Sequence, residues 1–181
     1  AMKKIPAFFV LFFSITILAS CTKTEVYRSG QEEITSNQFN MSLIIGKVNS
    51  RGDASLIINH ACAQQAFKRY FESEYGGTFT ISDVVIKGTS SYYYLCAYAN
   101  DADGRSRTIA LLLLLDGVDL RPMEVEGEKH LCSGSNCQAC DFVSNADGKI
   151  IGCDCLANGF CNHTKVSSWD TGDLVNDLAG C

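Results

Sequence analysis

The chain has 181 residues, 46% of them hydrophobic and only 19% charged, a balance that folds around a core and excludes a disordered or collagen-like chain. A formal charge of -5 lacks the basic surplus that a nucleic-acid binder needs, so no nucleic-acid partner is expected. Ten cysteines are too many for a reduced cytosolic protein of this length and point to an oxidising compartment.

Residues 1–20 read as a targeting segment. Lys3 and Lys4 supply the positive start, and Phe8 to Leu18 an apolar run too short to span a bilayer comfortably. The small residues Ala19 and Ser20 then lead to Cys21. Leu18-Ala19-Ser20-Cys21 resembles the lipobox of bacterial lipoproteins. In that family the thiol receives a diacylglyceryl group, cleavage falls just before the cysteine, and the new amine is acylated. The resemblance implies that Cys21 is the lipidation site and that the protein partners a membrane through its lipid, which needs more than one acyl chain to hold durably. Thr22, in place of an Asp after the cysteine, implies the outer membrane of a Gram-negative bacterium. Residues 21–40 are polar with little periodicity and read as a flexible tether.

Residues 41–128 are expected to form an α+β domain. Met41 to Val48 has strand composition, and Asn49 to Asp53 reads as a turn. A helix begins at Ser55 or Asn59 and stops at Gly76-Gly77. Its apolar stripe is Cys62, Ala63, Ala66, Phe67 and Tyr70, with Gln64, Gln65, Lys68, Arg69 and Glu72 on the other arc. Strands follow at 78–87, 91–99, 105–115 and 120–125, separated by turn residues, with Pro122 placing the last at an edge. One amphipathic helix packed on an antiparallel meander is the expected architecture. Its element order resembles cystatin-like and nuclear-transport-factor-like folds, a likeness that implies fold and no function. Within 91–99, Tyr92, Tyr94, Cys96 and Tyr98 share one face, which either lines a cleft or covers a half-buried sheet.

Residues 129–181 change character and are expected to form a small disulfide-rich C-terminal appendage. Cys132, Cys137, Cys140, Cys153, Cys155 and Cys161 follow C-x4-C-x2-C-x12-C-x-C-x5-C with little apolar material between them. Such a segment needs covalent or metal staples. Export to an oxidising compartment favours three disulfides, whose connectivity sequence does not choose. The alternative is metal, with Cys132, Cys137, Cys140, His130 and His163 as donors for zinc. Cys132-x4-Cys137-x2-Cys140 also resembles the first three iron–sulfur ligands of plant-type ferredoxins. That likeness covers nine residues, and Asp170 stands where the fourth cysteine would fall. Cys62 and Cys96 are candidates for a bridge between helix and sheet, or else two small buried hydrophobes. With Cys21 set aside the cysteine count is odd, and Cys181 is the candidate free thiol. The tail, through Cys161-Asn162-His163-Thr164, resembles Cys-rich tails of Gram-negative lipoproteins, which implies an address and no activity.

No nucleophile elbow, zinc-protease helix, phosphate-binding glycine loop or calcium loop is present in the sequence. The expectation is therefore a non-enzymatic, lipid-anchored envelope protein without a cofactor, with a binding or structural role as an accessory subunit of an envelope complex. The rival is a redox or metal-handling protein using zinc or an iron–sulfur group in the tail.

Overall fold

The expected helix forms as α1, His60–Tyr75, and its start and stop are both set by single residues. Asn59 keeps an extended backbone while its side-chain oxygen accepts the Cys62 N–H at 2.9 Å, satisfying one of the unpaired donors of the first turn. Ser55, the other candidate cap, lies in a strand. At the far end Gly76 sits at φ 66°, a left-handed value that glycine adopts without penalty, and its N–H closes on the Glu72 carbonyl.

This computed structural model describes residues 43–89, 91–123, 128–166 and 172–181. The targeting segment 1–20, Cys21 and the tether 21–40 lie outside the described residues, as do positions 124 and 125 of the last strand expected in the meander. Among the described residues no helix is long and apolar enough to cross a membrane.

The architecture is α+β, with two helices among the described residues on a mostly antiparallel sheet. A short hairpin, β1 (Gly46–Val48) and β2 (Ala54–Leu56), precedes α1. After it come β3 (Phe79–Gly88), β4 (Tyr93–Asp101), β5 (Ser106–Asp116) and β6 (Asp119–Pro122), the expected meander. The eleven-residue β5 organises the sheet. One of its edges carries β4, and the other is divided. Leu113 to Asp116 pair with β6, which hands on to β1 and β2. Arg107 to Leu111 pair with β7 (Lys129–Ser135), whose far edge takes β10 (Phe160–Val166). The Cys-rich segment is thus joined to the main sheet through two strands. Among the described residues, β8 (Cys140–Ser144) and β9 (Ile150–Cys155) form a separate two-stranded sheet. A second helix, α2 (Gly172–Ala179), packs beside α1.

Strand alternation divides the molecule into layers. On β4 the odd positions Tyr93, Leu95, Ala97 and Ala99 enter the main core with Ala63, Ala66, Phe67 and Phe71 of α1 and Leu174 and Leu178 of α2. The even positions Tyr94 and Cys96 enter a second cluster with Ala110 of β5 and Ile150 of β9. Each fully buried large side chain in these layers, Phe67 and Leu95 among them, contributes about 1.5–3 kcal/mol.

The curl of the sheet brings β1 and β2 against β3, and Gly46 marks the closest approach. A Cβ there would stand 2.1 Å from Ile86 Cδ1 and 2.7 Å from the Ser55 carbonyl oxygen. Gly46→Ala should therefore cost about 1–3 kcal/mol in a denaturant titration. Ile86→Val, which removes the colliding methyl, should restore part of that loss in the double variant. Failure to do so would place the close approach elsewhere.

Candidate functional site

Four disulfides tie the described chain together: Cys62–Cys181, Cys132–Cys153, Cys137–Cys155 and Cys140–Cys161. The six tail cysteines pair first with fourth, second with fifth and third with sixth. Two expectations are corrected. Cys62 does not meet Cys96, and Cys181 is not a free thiol; Cys62 bonds Cys181, and among the described residues Cys96 is the free cysteine, and it is buried. The reason lies in the strand period. Cys96 belongs to the even face of β4, away from α1, so the sheet itself separates it from Cys62. Burial pushes the Cys96 thiol up to about 12, so it is protonated at neutral pH and behaves as a small hydrophobe.

The tyrosine face is covered by the β8–β9 hairpin. Phe142 and Ile150 pack against Tyr94, Cys96 and Ala110, leaving a recess of about 150 Å³. Backbone polar groups at the contact are met from the sheet. The Cys140 N–H donates to Ser106 Oγ at 2.9 Å, and Thr108 Oγ1 donates to the Cys140 carbonyl at 2.7 Å. Asp141 is held from two sides, by the Tyr98 hydroxyl donating to Oδ1 at 2.7 Å and by Lys87 Nζ at 2.7 Å. Burial works against the Asp141 carboxylate, but these donors outweigh it and hold its pKa below the ordinary value. Burial, with the neighbouring Cys96 and the Asp141 charge, moves the Tyr98 phenol the other way, far above its usual range.

Three disulfides then fasten the hairpin, from β7 to β9, from the turn after β7 to the end of β9, and from β8 to β10. Cys137 Sγ and Cys161 Sγ lie 3.5 Å apart, so two of the bridges are in van der Waals contact. Gly134 floors this lattice: a Cβ there would meet Cys140 Sγ at 3.0 Å. The segment between Cys155 and Cys161 is consequently anchored at both ends, to Cys137 and to Cys140. It bears two large apolar side chains that face solvent, Leu156 at 68% and Phe160 at 81% exposure.

Beside the lattice a polar row crosses β7 and β10. Lys165 pairs with His130 and His163 with Cys132 across the ladder, which puts both imidazoles and the ammonium on one face. His130 is fully buried, with Tyr94 at a ring separation of 5.7 Å and Phe142 at 6.4 Å, both edge to face. Its Nε2 meets Glu128 Oε1, and Glu128 Oε2 is paired with Lys165 Nζ. Its Nδ1 lies 2.8 Å from His163 Nε2. A carboxylate only accepts, so the proton of neutral His130 is assigned to Nε2, and Nδ1 accepts from His163. Burial pulls both imidazoles below their usual pKa, against the Glu128 charge. Burial opposes ionisation of Glu128 as well, yet its bonds to Lys165 and His130 win and its pKa is lowered.

Of the alternative metal donors, the structure brings His130 and His163 together, whereas Cys132, Cys137 and Cys140 are each bonded to another cysteine. Glu128, Lys165 and Asp141 were not anticipated from the sequence. Glu128-x-His130 and His163-x-Lys165 would have shown the row, since residues two apart share a strand face, had those segments been read as strands. Compared with family models, curated proteins and solved structures, the chain matches none.

Proposed function

We propose that this is a lipid-anchored envelope protein with a binding role, and that it meets a protein partner in an envelope complex through the clamped segment between Cys155 and Cys161. The anchor is supported by the order of elements in the sequence: two lysines, an apolar run, small residues, then Cys21. The contact is supported by one observation above all. Among the described residues Phe160 and Leu156 are the two most exposed large hydrophobics, and both stand on a segment pinned by a disulfide at each end. Apolar groups of that size are placed in water at a cost unless a partner covers them. Pinning the backbone beforehand lowers the ordering cost of association.

A photo-crosslinking residue at position 160 of the full chain, expressed in a bacterium that processes the lipobox, tests both halves. The expected result is a membrane-fraction adduct to one protein, absent when the same residue is placed at the exposed turn position 102. Cys21→Ala should move the protein out of the membrane fraction. Phe160→Ala with Leu156→Ala should weaken association with the identified partner at least tenfold. Crosslinking at 102 and not at 160, or membrane retention of Cys21→Ala, would overturn the corresponding half.

A further inference from the structure

Two bridges of the lattice are arranged so that their four sulfurs have a second way to pair. Cys137 Sγ touches Cys161 Sγ at 3.5 Å although the two belong to different disulfides, and Cys155 Sγ lies within 4.8 Å of both. Gly134, opposite Cys161 on the β7–β10 ladder, makes room for this contact. A Cβ there would stand 3.0 Å from Cys140 Sγ and 3.1 Å from Cys137 Cβ. The other two half-cystines, Cys140 and Cys155, face each other directly across the β8–β9 ladder. The Leu156 N–H donates to the Ala139 carbonyl, and the Cys140 N–H turns away to Ser106 Oγ. Residues 140 and 155 are therefore a non-hydrogen-bonded pair. Such pairs share a face with Cα atoms about 4.5 Å apart, inside the span that a disulfide closes.

We propose that Cys137, Cys140, Cys155 and Cys161 form one thiol–disulfide exchange site. At this site an external thiolate, carried by an exported thiol–disulfide protein, converts Cys137–Cys155 and Cys140–Cys161 into Cys137–Cys161 and Cys140–Cys155. Cys137 and Cys140 are buried, so the incoming thiolate reaches half-buried Cys155. Its attack on Cys155 Sγ forms a mixed disulfide and expels Cys137 as a thiolate. Cys137 then attacks the touching Cys161 Sγ and expels Cys140. Cys140 attacks Cys155 Sγ, its partner across the ladder, and releases the external thiolate unchanged. Three sulfur–sulfur bonds form and three break, with no net oxidation and no proton left over. One new loop is slightly longer and the other slightly shorter than those they replace, so chain entropy favours neither pairing.

The exchange changes what the β8–β9 hairpin is tied to. At present Cys140–Cys161 joins it to β10 and Cys137–Cys155 joins it to the turn after β7. In the other pairing Cys140–Cys155 staples the hairpin to itself, and Cys132–Cys153 remains as its bridge to the main sheet. The hairpin covers Tyr94 and Cys96, so the exchange loosens that cover. The segment between Cys155 and Cys161 stays bridged at both ends in either pairing, so the inference does not rest on the partner contact proposed above.

The test uses the oxidised full chain carrying Cys21→Ala, in mild detergent and without oxygen, which makes it independent of the anchor. It is incubated with a catalytic amount of reduced glutathione at about pH 8, where that thiol is partly ionised. Acid quenching and peptide mapping with electron-transfer fragmentation then read the pairings. The expected result is Cys137–Cys161 with Cys140–Cys155 in about one molecule in ten or more, while Cys132–Cys153 and Cys62–Cys181 persist. Once glutathione is removed, alkylation of Cys96 in the native protein should gain a fast phase whose amplitude equals the exchanged fraction. The original pairing alone after prolonged incubation, or scrambling that spreads to Cys132, would overturn the exchange site. Exchange without a fast phase at Cys96 would overturn the loosening of the hairpin. Cys140→Ser/Cys155→Ser gives a second measurement, since it leaves Cys137 and Cys161 without their present partners. In the folded variant these two should bond to each other, and two free thiols would be the contrary result. Should that variant not fold, the mapping of the exchanged chain decides.

Discussion

Replacing Cys62 and Cys181 together by alanine should destabilise the protein more than removing any one bridge of the Cys-rich lattice. The two cysteines are separated by 119 residues, against 21, 18 and 21 for the others. On the chain-entropy relation, a loop of that length restricts the unfolded ensemble by about 5 kcal/mol, and the shorter loops by about 3 kcal/mol each. The difference is reinforced by what else holds α2. Besides the bridge it is held by its buried apolar side chains Leu174, Val175 and Leu178 and by Asp177 with Arg69 at 2.8 Å, an exposed ion pair that adds little. An eight-residue helix so attached lacks the length to persist alone once released. Cys62→Ala/Cys181→Ala should therefore lower the thermal midpoint by about 10–20 °C. Hydrogen exchange in α2 should also approach the unprotected rate below the main transition. A midpoint shift no larger than that of Cys140→Ala/Cys161→Ala would show that loop length does not govern these bridges.

That bridge also shows where the sequence was legible and where it was not. The helix stripe, its Asn59 cap, its glycine stop and the meander strands follow from short-range periodicity and turn chemistry, and they form nearly where expected. The alternation of β4 was readable too, and it already separated Cys96 from the helix side: a cysteine in register with Tyr94 and Tyr98 faces away from the core that α1 buries. What could not be read is long-range. Nothing near Cys181 announces that α2 returns to the start of α1. Nothing local in Lys129 to Ser135 announces a strand that extends β5, because its apolar content is low and its polar residues are satisfied only by neighbours far along the chain. Ser106 and Thr108 meeting Cys140, and Glu128 meeting His130 and Lys165, depend on that pairing. The proposed membrane anchor is the reverse case. The expectation rests wholly on local order around Cys21 and draws nothing from the fold.

The docking of the β8–β9 hairpin should be sensitive to pH at both extremes, with Asp141 as its centre. In the folded protein the Asp141 carboxyl is held below its ordinary value by Lys87 and Tyr98, so the unfolded chain binds the proton more readily. The stabilisation is fully present above the ordinary carboxylate range, near pH 4, and is lost as pH falls through the lowered value. Tyr98 works in the opposite sense. Its phenol is raised chiefly by burial, so stability is full below about pH 10 and declines as pH rises past the value at which the unfolded phenol ionises. Tyr94, pushed up to about 12 by the same burial, adds to that alkaline limb. Stability measured by calorimetry should accordingly form a plateau with an acid and an alkaline shoulder. Asp141→Asn keeps an acceptor for Tyr98 but leaves Lys87 without its charge partner, losing charge-assisted bonds of about 1.5–3 kcal/mol near neutrality. Its acid shoulder should be correspondingly shallower, while the alkaline one remains. Tyr98→Phe should do the reverse, flattening the alkaline shoulder and sparing most of the acid one, since Lys87 still holds the carboxylate. If Asp141→Asn left the acid shoulder unchanged, the acid sensitivity would belong to other carboxylates, and the hairpin would be held by its disulfides, by Phe142 and Ile150 and by the Ser106 and Thr108 bonds to Cys140, without a contribution from the Asp141 charge.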